Sequence, residues 1–127
     1  MSDRPIRAIL DTTAVVAYAR GRVSVGEVLA EITDEGLTFA VPDLCLIEAA
    51  QQLDVDQWPA LDMLTSHSHC ERLELSANWR DIAAGARLLG STSRAVAMLA
   101  AVDYHAFLLT AEPDVYGGDD APLVIGV

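Results

Sequence analysis

Three acidic residues follow or adjoin apolar segments at points where their side chains could act on one ligand. Asp11 directly follows the apolar run Ile6–Leu10, Glu48 lies early in an apolar helical stretch, and Glu112 comes two residues after the run Phe107–Thr110. Carboxylates at the carboxyl ends of parallel strands share one edge of the sheet, where α/β proteins build their sites. Converging carboxylates repel one another unless a cation lies between them, and oxygen ligands suit Mg²⁺ or Mn²⁺. Such an ion can activate water and polarise a phosphodiester, which is nuclease chemistry.

Each of the three acids also has a simpler interpretation. Asp11 could cap a helix that begins at Thr12 or Thr13, because a short side-chain oxygen there accepts from the free N–H groups of the first turn. Glu112 could be a solvated loop residue. Glu48 fits a solvated role less well, since it lies in an apolar stretch. The joint arrangement of the three, rather than any one of them, favours a site.

Short apolar runs alternating with helical periodicity predict the elements that would position these acids. The predicted strands are 7–10, 37–41, 71–75 and 107–110, with 123–127 as a fifth. The predicted helices are 13–20, 25–33, 43–53, 56–66, 79–89 and 94–104. This alternation indicates a single domain spanning residues 1–127, with a parallel sheet of four to five strands covered on both faces, which is a three-layer α/β/α sandwich. The pattern leaves the order of the strands open.

Several residues are predicted to begin or end these helices. Asp43 and Asp56 are expected to cap their helices, and either Ser76 or Asn78 to cap the helix at 79–89. That helix ends at Gly90, and the segment 91–93 caps the most apolar helix.

Composition limits the classes of function. The 127 residues carry a formal charge of −11 and contain no lysine, so every basic side chain other than histidine is an arginine. Such a surface argues against broad DNA or membrane binding, but not against RNA held in a local groove lined by arginine. Arg20 and Arg22 follow the first helix near the expected site, where they could hold RNA phosphates or an acidic tail of a partner, or simply be solvated.

The expected environment of the chain is the cytoplasm. Cys45 and Cys70 do not form a CxxC pair, and reduced, buried thiols fit a cytosolic protein. The polar start of the chain does not have the form of a signal peptide, and no stretch is long enough to cross a membrane.

Three segments together resemble the PIN-domain ribonucleases, with size and spacing most similar to VapC-type toxins. Residues 8–14, AILDTTA, are similar to the family's opening strand, which ends in Asp-Thr or Asp-Ser. Residues 43–49, DLCLIEA, are similar to its second acidic motif. Residues 97–102, AMLAAV, followed by 107–112, FLLTAE, are similar to its C-terminal block. The resemblance covers nearly the whole chain and keeps the order of the motifs.

The resemblance implies a fold, an activity and partners. It implies a PIN-like sandwich that cleaves single-stranded RNA with Mg²⁺ held by Asp11, Glu48 and Glu112. Thr12 or Thr13, and Thr110, would steady the carboxylates through hydrogen bonds. As partner it allows either a cognate antitoxin or another protein. It also favours a homodimer, for which the apolar faces of the helices at 25–33 and 43–53 are the expected surfaces.

One position departs from the family pattern. Members usually have a third Asp sixteen residues before the strand-ending threonine, and counting back from Thr110 gives Arg94. The change shifts local charge by two units, and two unit charges about 4 Å apart interact by about 4 kcal/mol at an effective dielectric near 20. Arg94 could pair with the acids in place of a metal, which would leave an inactive binding or assembly module. Alternatively, Arg94 could point outward and leave the metal site intact.

Overall fold

A five-stranded, all-parallel sheet forms the centre of the molecule in the computed structural model, which describes residues 4–76, 78–117 and 123–127. The strands are β1 (Ile6–Leu10), β2 (Thr38–Pro42), β3 (Cys70–Leu73), β4 (Phe107–Thr110) and β5 (Val124–Gly126). Their spatial order is β3-β2-β1-β4-β5, with each neighbouring pair parallel. The fifth strand is therefore confirmed, and the order that the sequence left open is now defined.

Six α-helices surround the sheet in the described ranges. They are α1 (Thr12–Ala19), α2 (Val23–Asp34), α3 (Asp43–Gln52), α4 (Trp58–Thr65), α5 (Trp79–Leu89) and α6 (Thr92–Asp103). Two short 3₁₀ helices, Val55–Gln57 and Pro113–Tyr116, complete the regular structure. No helix in these ranges has the length and apolar character needed to cross a lipid bilayer.

The side chains of successive strand residues pack into two separate core layers, one on each face of the sheet. Leu10 and Phe39 lie in one apolar cluster that includes residues of α1, α2 and α4, whereas Ile9 and Ala40 lie in a second cluster with α6. Neighbouring residues of a strand point to opposite faces, so both faces of this sheet are covered, as parallel sheets require. The predicted three-layer α/β/α sandwich is confirmed.

Local side-chain chemistry explains where α5 and α6 begin and end. Asn78 accepts from the backbone of Asp81 at the start of α5, and Ser91 accepts from the backbone of Arg94 at the start of α6. Gly90 ends α5 in the left-handed conformation, with φ +88°, which a side chain would disfavour.

Two predicted caps and one predicted surface are wrong. Asp43 is the first helical residue rather than the N-cap, and its carboxylate pairs with Arg72 at 2.8 Å. Asp54, not Asp56, begins the next segment, in a capping box with Gln57. The apolar face of α2 is unavailable for a dimer, because its buried residues Val25, Leu29 and Ile32 pack in the core of the same chain.

The strand order places a topological switch point between β1 and β4. The chain proceeds from β1 outward through β2 and β3, and then returns to place β4 on the other side of β1. In open parallel sheets the crevice beyond the carboxyl ends of such strands is where ligands bind. The segments that follow β1 and β4 contain Asp11 and Glu112.

Candidate functional site

Asp11 lies at the base of the site and caps α1. It is only 3% exposed, and its Oδ1 accepts from the backbone N–H of Ala14 at 2.9 Å and from the hydroxyl of Thr13 at 2.7 Å. The capping interpretation of Asp11 is therefore confirmed. Capping uses Oδ1 and leaves Oδ2 for another partner.

Tyr116 is that partner, and sequence reasoning missed it. Its hydroxyl donates to Oδ2 of Asp11 at 2.8 Å, and the phenol side chain is buried with 7% exposure. Burial first, and then the neighbouring charge of Asp11, raises the pKa of Tyr116 well above its usual range. The phenol therefore stays protonated near neutral pH and remains a hydrogen-bond donor.

Two threonines join the segment after β4 to the start of α1. The hydroxyl of Thr13 lies 3.2 Å from that of Thr110 and accepts from the backbone N–H of Ala111 at 2.9 Å. Thr110 in turn accepts from the backbone N–H of Glu112 at 3.0 Å. Thr13 thus steadies a carboxylate directly, as predicted, while Thr110 acts through Thr13 and the backbone. Within the described residues, the hydroxyl of Thr12 makes no hydrogen bond to a carboxylate.

Arg94 turns back toward the site instead of pointing into solvent. Its Nη2 donates to Oε2 of Glu112 at 3.0 Å, and its Nη1 donates to the carbonyl of Leu89 at 2.8 Å. The side chains are 33% and 46% exposed, so this ion pair contributes at most about 1 kcal/mol to stability. Its consequence is chiefly electrostatic, because one of the three predicted metal ligands already has a cationic partner.

Glu48 lies on α3 and lines the same cavity as Asp11. Its Oε2 is buried and has no hydrogen-bond partner within the described part of the chain.

One turn earlier on α3, the thiol of Cys45 points to the carbonyl of Ser93 at 3.6 Å. Burial above all, together with the charges of Asp11 and Glu48, raises the pKa of Cys45 to about 12. This thiol is consequently neutral at physiological pH and not an activated nucleophile.

Two concave regions meet at this edge of the sheet. A cavity of about 260 Å³ is lined by all three predicted acids together with Arg94 and Tyr116. Beside it lies a groove of about 500 Å³ that contains Arg20 and Arg22 and shares Thr13, Gln52 and Glu112 with the cavity. The structure therefore brings the predicted site residues to one place and adds a basic groove next to them.

The side chains in the cavity do not fit a divalent ion in the arrangement observed. Within residues 4–76, 78–117 and 123–127, no group of three or more His, Cys, Asp or Glu side chains is placed to hold a metal. Glu112 is paired with Arg94, and both oxygens of Asp11 accept from protein donors. A divalent ion bound by all three acids would require these contacts to rearrange.

The sheet order and the position of the site define the class of fold. A five-stranded parallel sheet between two helical layers, with acids after β1 and β4, agrees with the PIN-like α/β/α sandwich that the sequence predicts.

Two solved structures are similar to the chain over nearly its full length. One is the crystal structure of VapBC2 from Rickettsia felis bound to a DNA fragment from their promoter, with 15% identity, a TM-score of 0.71, and coverage of 96% of this chain and 99% of that one. The other is a toxin–antitoxin complex from Klebsiella pneumoniae, with 19% identity, a TM-score of 0.62, and coverage of 93% and 95%. The fold is therefore that of a VapC-type PIN domain. No protein-family model and no curated protein sequence match the chain.

Proposed function

We propose that this domain is a PIN-like module of the toxin–antitoxin type whose acidic site is closed by its own arginine. It acts by binding a protein partner rather than by cleaving RNA. In this proposal Arg94 takes the electrostatic place of a metal ion, since a guanidinium can neutralise and hydrogen-bond carboxylates that would otherwise repel one another.

The observation that carries the proposal is the pair between Arg94 and Glu112. The guanidinium is held from two sides, by the carboxylate of Glu112 and by the carbonyl of Leu89, which ends α5. A cation anchored at the edge of an acid-lined cavity opposes the entry of a second, divalent cation. The same contact uses a carboxylate that a metal would need.

An antitoxin-type protein is the proposed partner. The two structures named above are toxin–antitoxin complexes, which supports a partner of this kind. The groove beside the cavity offers a place for it. Arg20 is exposed, and its guanidinium makes no hydrogen bond or ion pair with any described residue, while Arg22 donates to the backbone oxygen of Val127 at 3.1 Å. Among the described residues, neither arginine has a carboxylate side chain as its partner, so in a chain of charge −11 both are available to an acidic segment.

The lining of this groove favours an acidic peptide over RNA. Proteins that hold single-stranded RNA use aromatic side chains on which the bases stack. The described residues that line this groove include aliphatic side chains such as Val16 and Ala17 but no aromatic side chain. The two guanidinium groups can each neutralise one carboxylate of a short peptide. An RNA chain that extended beyond the groove would lie against the acidic remainder of the surface, which repels its phosphates.

Metal titration tests the closed site. Calorimetry with Mn²⁺ should show no binding up to millimolar metal in the wild type, and measurable binding once Arg94→Asp removes the guanidinium and adds a carboxylate. Wild-type binding at tens of micromolar, lost in Asp11→Ala, would overturn the proposal.

A second assay tests the partner groove. A short labelled glutamate peptide and an oligouridylate of equal charge can be compared by fluorescence anisotropy. The peptide should bind in a salt-dependent manner and be weakened by Arg20→Gln with Arg22→Gln. Arg87→Gln, at an exposed arginine of α5, is the matched control and should leave binding unchanged. Tighter binding of the oligouridylate, or an equal loss in the control, would contradict a peptide partner.

One observation favours a second candidate function, Mg²⁺-dependent cleavage of single-stranded RNA. Asp11, Glu48 and Glu112 all line one cavity, and Oε2 of Glu48 is buried without a partner among the described residues. A buried, unpaired carboxylate oxygen is costly, and sites that bind cations tolerate that cost. Metal-dependent cleavage of several single-stranded RNAs, abolished by Asp11→Ala and by Glu48→Ala, would establish this activity.

The proposed setting is the cytoplasm, which agrees with two free cysteines, Cys45 and Cys70.

A homodimer also stays a prediction. With the apolar face of α2 buried, α3 is the remaining predicted surface, where Ile47 is 54% exposed. Light scattering that shows only monomer at high concentration would rule out the homodimer.

A further inference from the structure

Tyr116 makes a second hydrogen bond to one of the acids of the site, separate from that of Arg94. Its hydroxyl bonds to Asp11, which follows β1, whereas Arg94 bonds to Glu112, which follows β4. The two contacts involve different donors and different carboxylates. Tyr116 and Asp11 are also more deeply buried than the Arg94–Glu112 pair, at 7% and 3% exposure.

The bond lies on the one oxygen of Asp11 that helix capping does not use. Oδ1 accepts from Thr13 and from the backbone of Ala14, and Oδ2 accepts from Tyr116. An ionised carboxylate has about four acceptor positions, so three protein donors leave it nearly saturated. A ligand that approached Asp11 would have to compete with the phenol for Oδ2.

We propose that Tyr116 is a positioning residue that closes the acidic site independently of Arg94, by holding Oδ2 of Asp11 in a hydrogen bond within the protein. This inference rests on the proposed function, in which the site holds no metal. It predicts that replacing Arg94 alone restores only part of the metal affinity that the three acids could support.

The expected effect follows from the strength of a hydrogen bond to a charged acceptor. Such bonds contribute enough free energy that displacing one changes an affinity on the order of tenfold to a hundredfold. Removing the hydroxyl while keeping the ring should therefore strengthen metal binding by at least about tenfold in a protein whose Arg94 has been replaced.

A purely structural role for Tyr116 predicts a different result. The ring belongs to the apolar cluster around Ile9 and Leu108, and Phe would fill the same space. If packing were its whole contribution, Tyr116→Phe would leave metal affinity unchanged. Metal affinity therefore separates the hydroxyl's effect on Asp11 from the ring's effect on the core.

The experiment is a Mn²⁺ titration by calorimetry of the wild type, Tyr116→Phe, Arg94→Asp and the double variant, with circular dichroism to confirm folding. We expect no binding in the wild type, weak binding in Arg94→Asp, and binding at least about tenfold tighter in the double variant. Tyr104→Phe in the Arg94→Asp protein is the control, because Tyr104 is 49% exposed and does not line the cavity. It should leave the affinity of Arg94→Asp unchanged.

The outcomes separate the inference from the proposed function. Equal affinity in Arg94→Asp and the double variant, or no binding in the double variant, overturns the inference about Tyr116. Tight binding by the wild type overturns the closed site, and the ratio between Tyr116→Phe and wild type then decides whether the hydroxyl competes for Asp11. Should Arg94→Asp fail to fold, Arg94→Asn with and without Tyr116→Phe provides the same comparison.

Discussion

Replacing Asp11 by alanine should lower the stability of the protein even when all metal has been removed. The carboxylate caps α1, and losing such a cap costs typically about 1 kcal/mol. The substitution also leaves the buried hydroxyl of Tyr116 without its acceptor, which costs about 1–3 kcal/mol. Thr13 keeps contacts to Thr110 and to Ala111, so its loss is smaller. Together we expect the free energy of unfolding to fall by about 2–4 kcal/mol.

Urea denaturation in the presence of EDTA measures this change. Asp62→Ala is the matched control, because Asp62 is an exposed helical residue whose carboxylate has no role in the site, and its effect should stay within about 0.5 kcal/mol. Groups kept for binding a ligand are often destabilising when the ligand is absent. If Asp11→Ala unfolds at the same urea concentration as the wild type, or at a higher one, Asp11 is not held by the bonds described here. It would then be better explained as a metal ligand.

Two further predictions concern the core and the helix packing. Because the pKa of Cys45 is raised from 9.0 to about 12, the folded state binds this proton more tightly than the unfolded state does, so stability is lost as pH rises above 9. Between pH 9 and about 10.5 the wild type should lose about 2 kcal/mol relative to Cys45→Ser in urea melts, and parallel curves for the two proteins would refute this reasoning. A Cβ at Gly85 would lie 3.0 Å from Cβ of Ala95, where α5 crosses α6, so Gly85→Ala should destabilise the fold despite its better helix propensity. Gly26→Ala on α2 has open space and should raise the free energy of unfolding by up to about 1 kcal/mol, and a thermal melt that ranks the two variants the other way would contradict the packing argument.

The elements of the fold could be predicted because each carries a local signal. Apolar periodicity located the six helices and the strands to within a few residues, and Asn78 and Ser91 cap helices through their own side chains, as expected. The two caps predicted wrongly show where local signals compete. Asp43 has the right type for a cap, but the neighbouring strand β3 presents Arg72 to it, and that contact depends on tertiary structure.

The site could be predicted only in part for the same reason. Asp11, Glu48 and Glu112 could be located because parallel strands end at one edge of a sheet, which is a rule of topology. The role of Tyr116 could not be predicted, because 105 positions separate it from Asp11 and its 3₁₀ helix has no periodic pattern. The direction of the Arg94 side chain was likewise left open, because it is determined by the carbonyl at the end of α5 and by the carboxylate after β4.

Arg94 also ties three parts of the chain together at one point. Its guanidinium bonds to Leu89 at the end of α5 and to Glu112 after β4, and its backbone N–H bonds to the capping residue Ser91 of α6. Helix α5 packs chiefly on α6, and Ile82 is its only buried residue among those described. Because α6 contributes five buried residues and α5 only one, we expect α5 to open before α6 in local unfolding, with the bonds of Arg94 opposing that opening. Arg94→Ala should therefore speed hydrogen exchange of the backbone amides of α5 relative to those of α6.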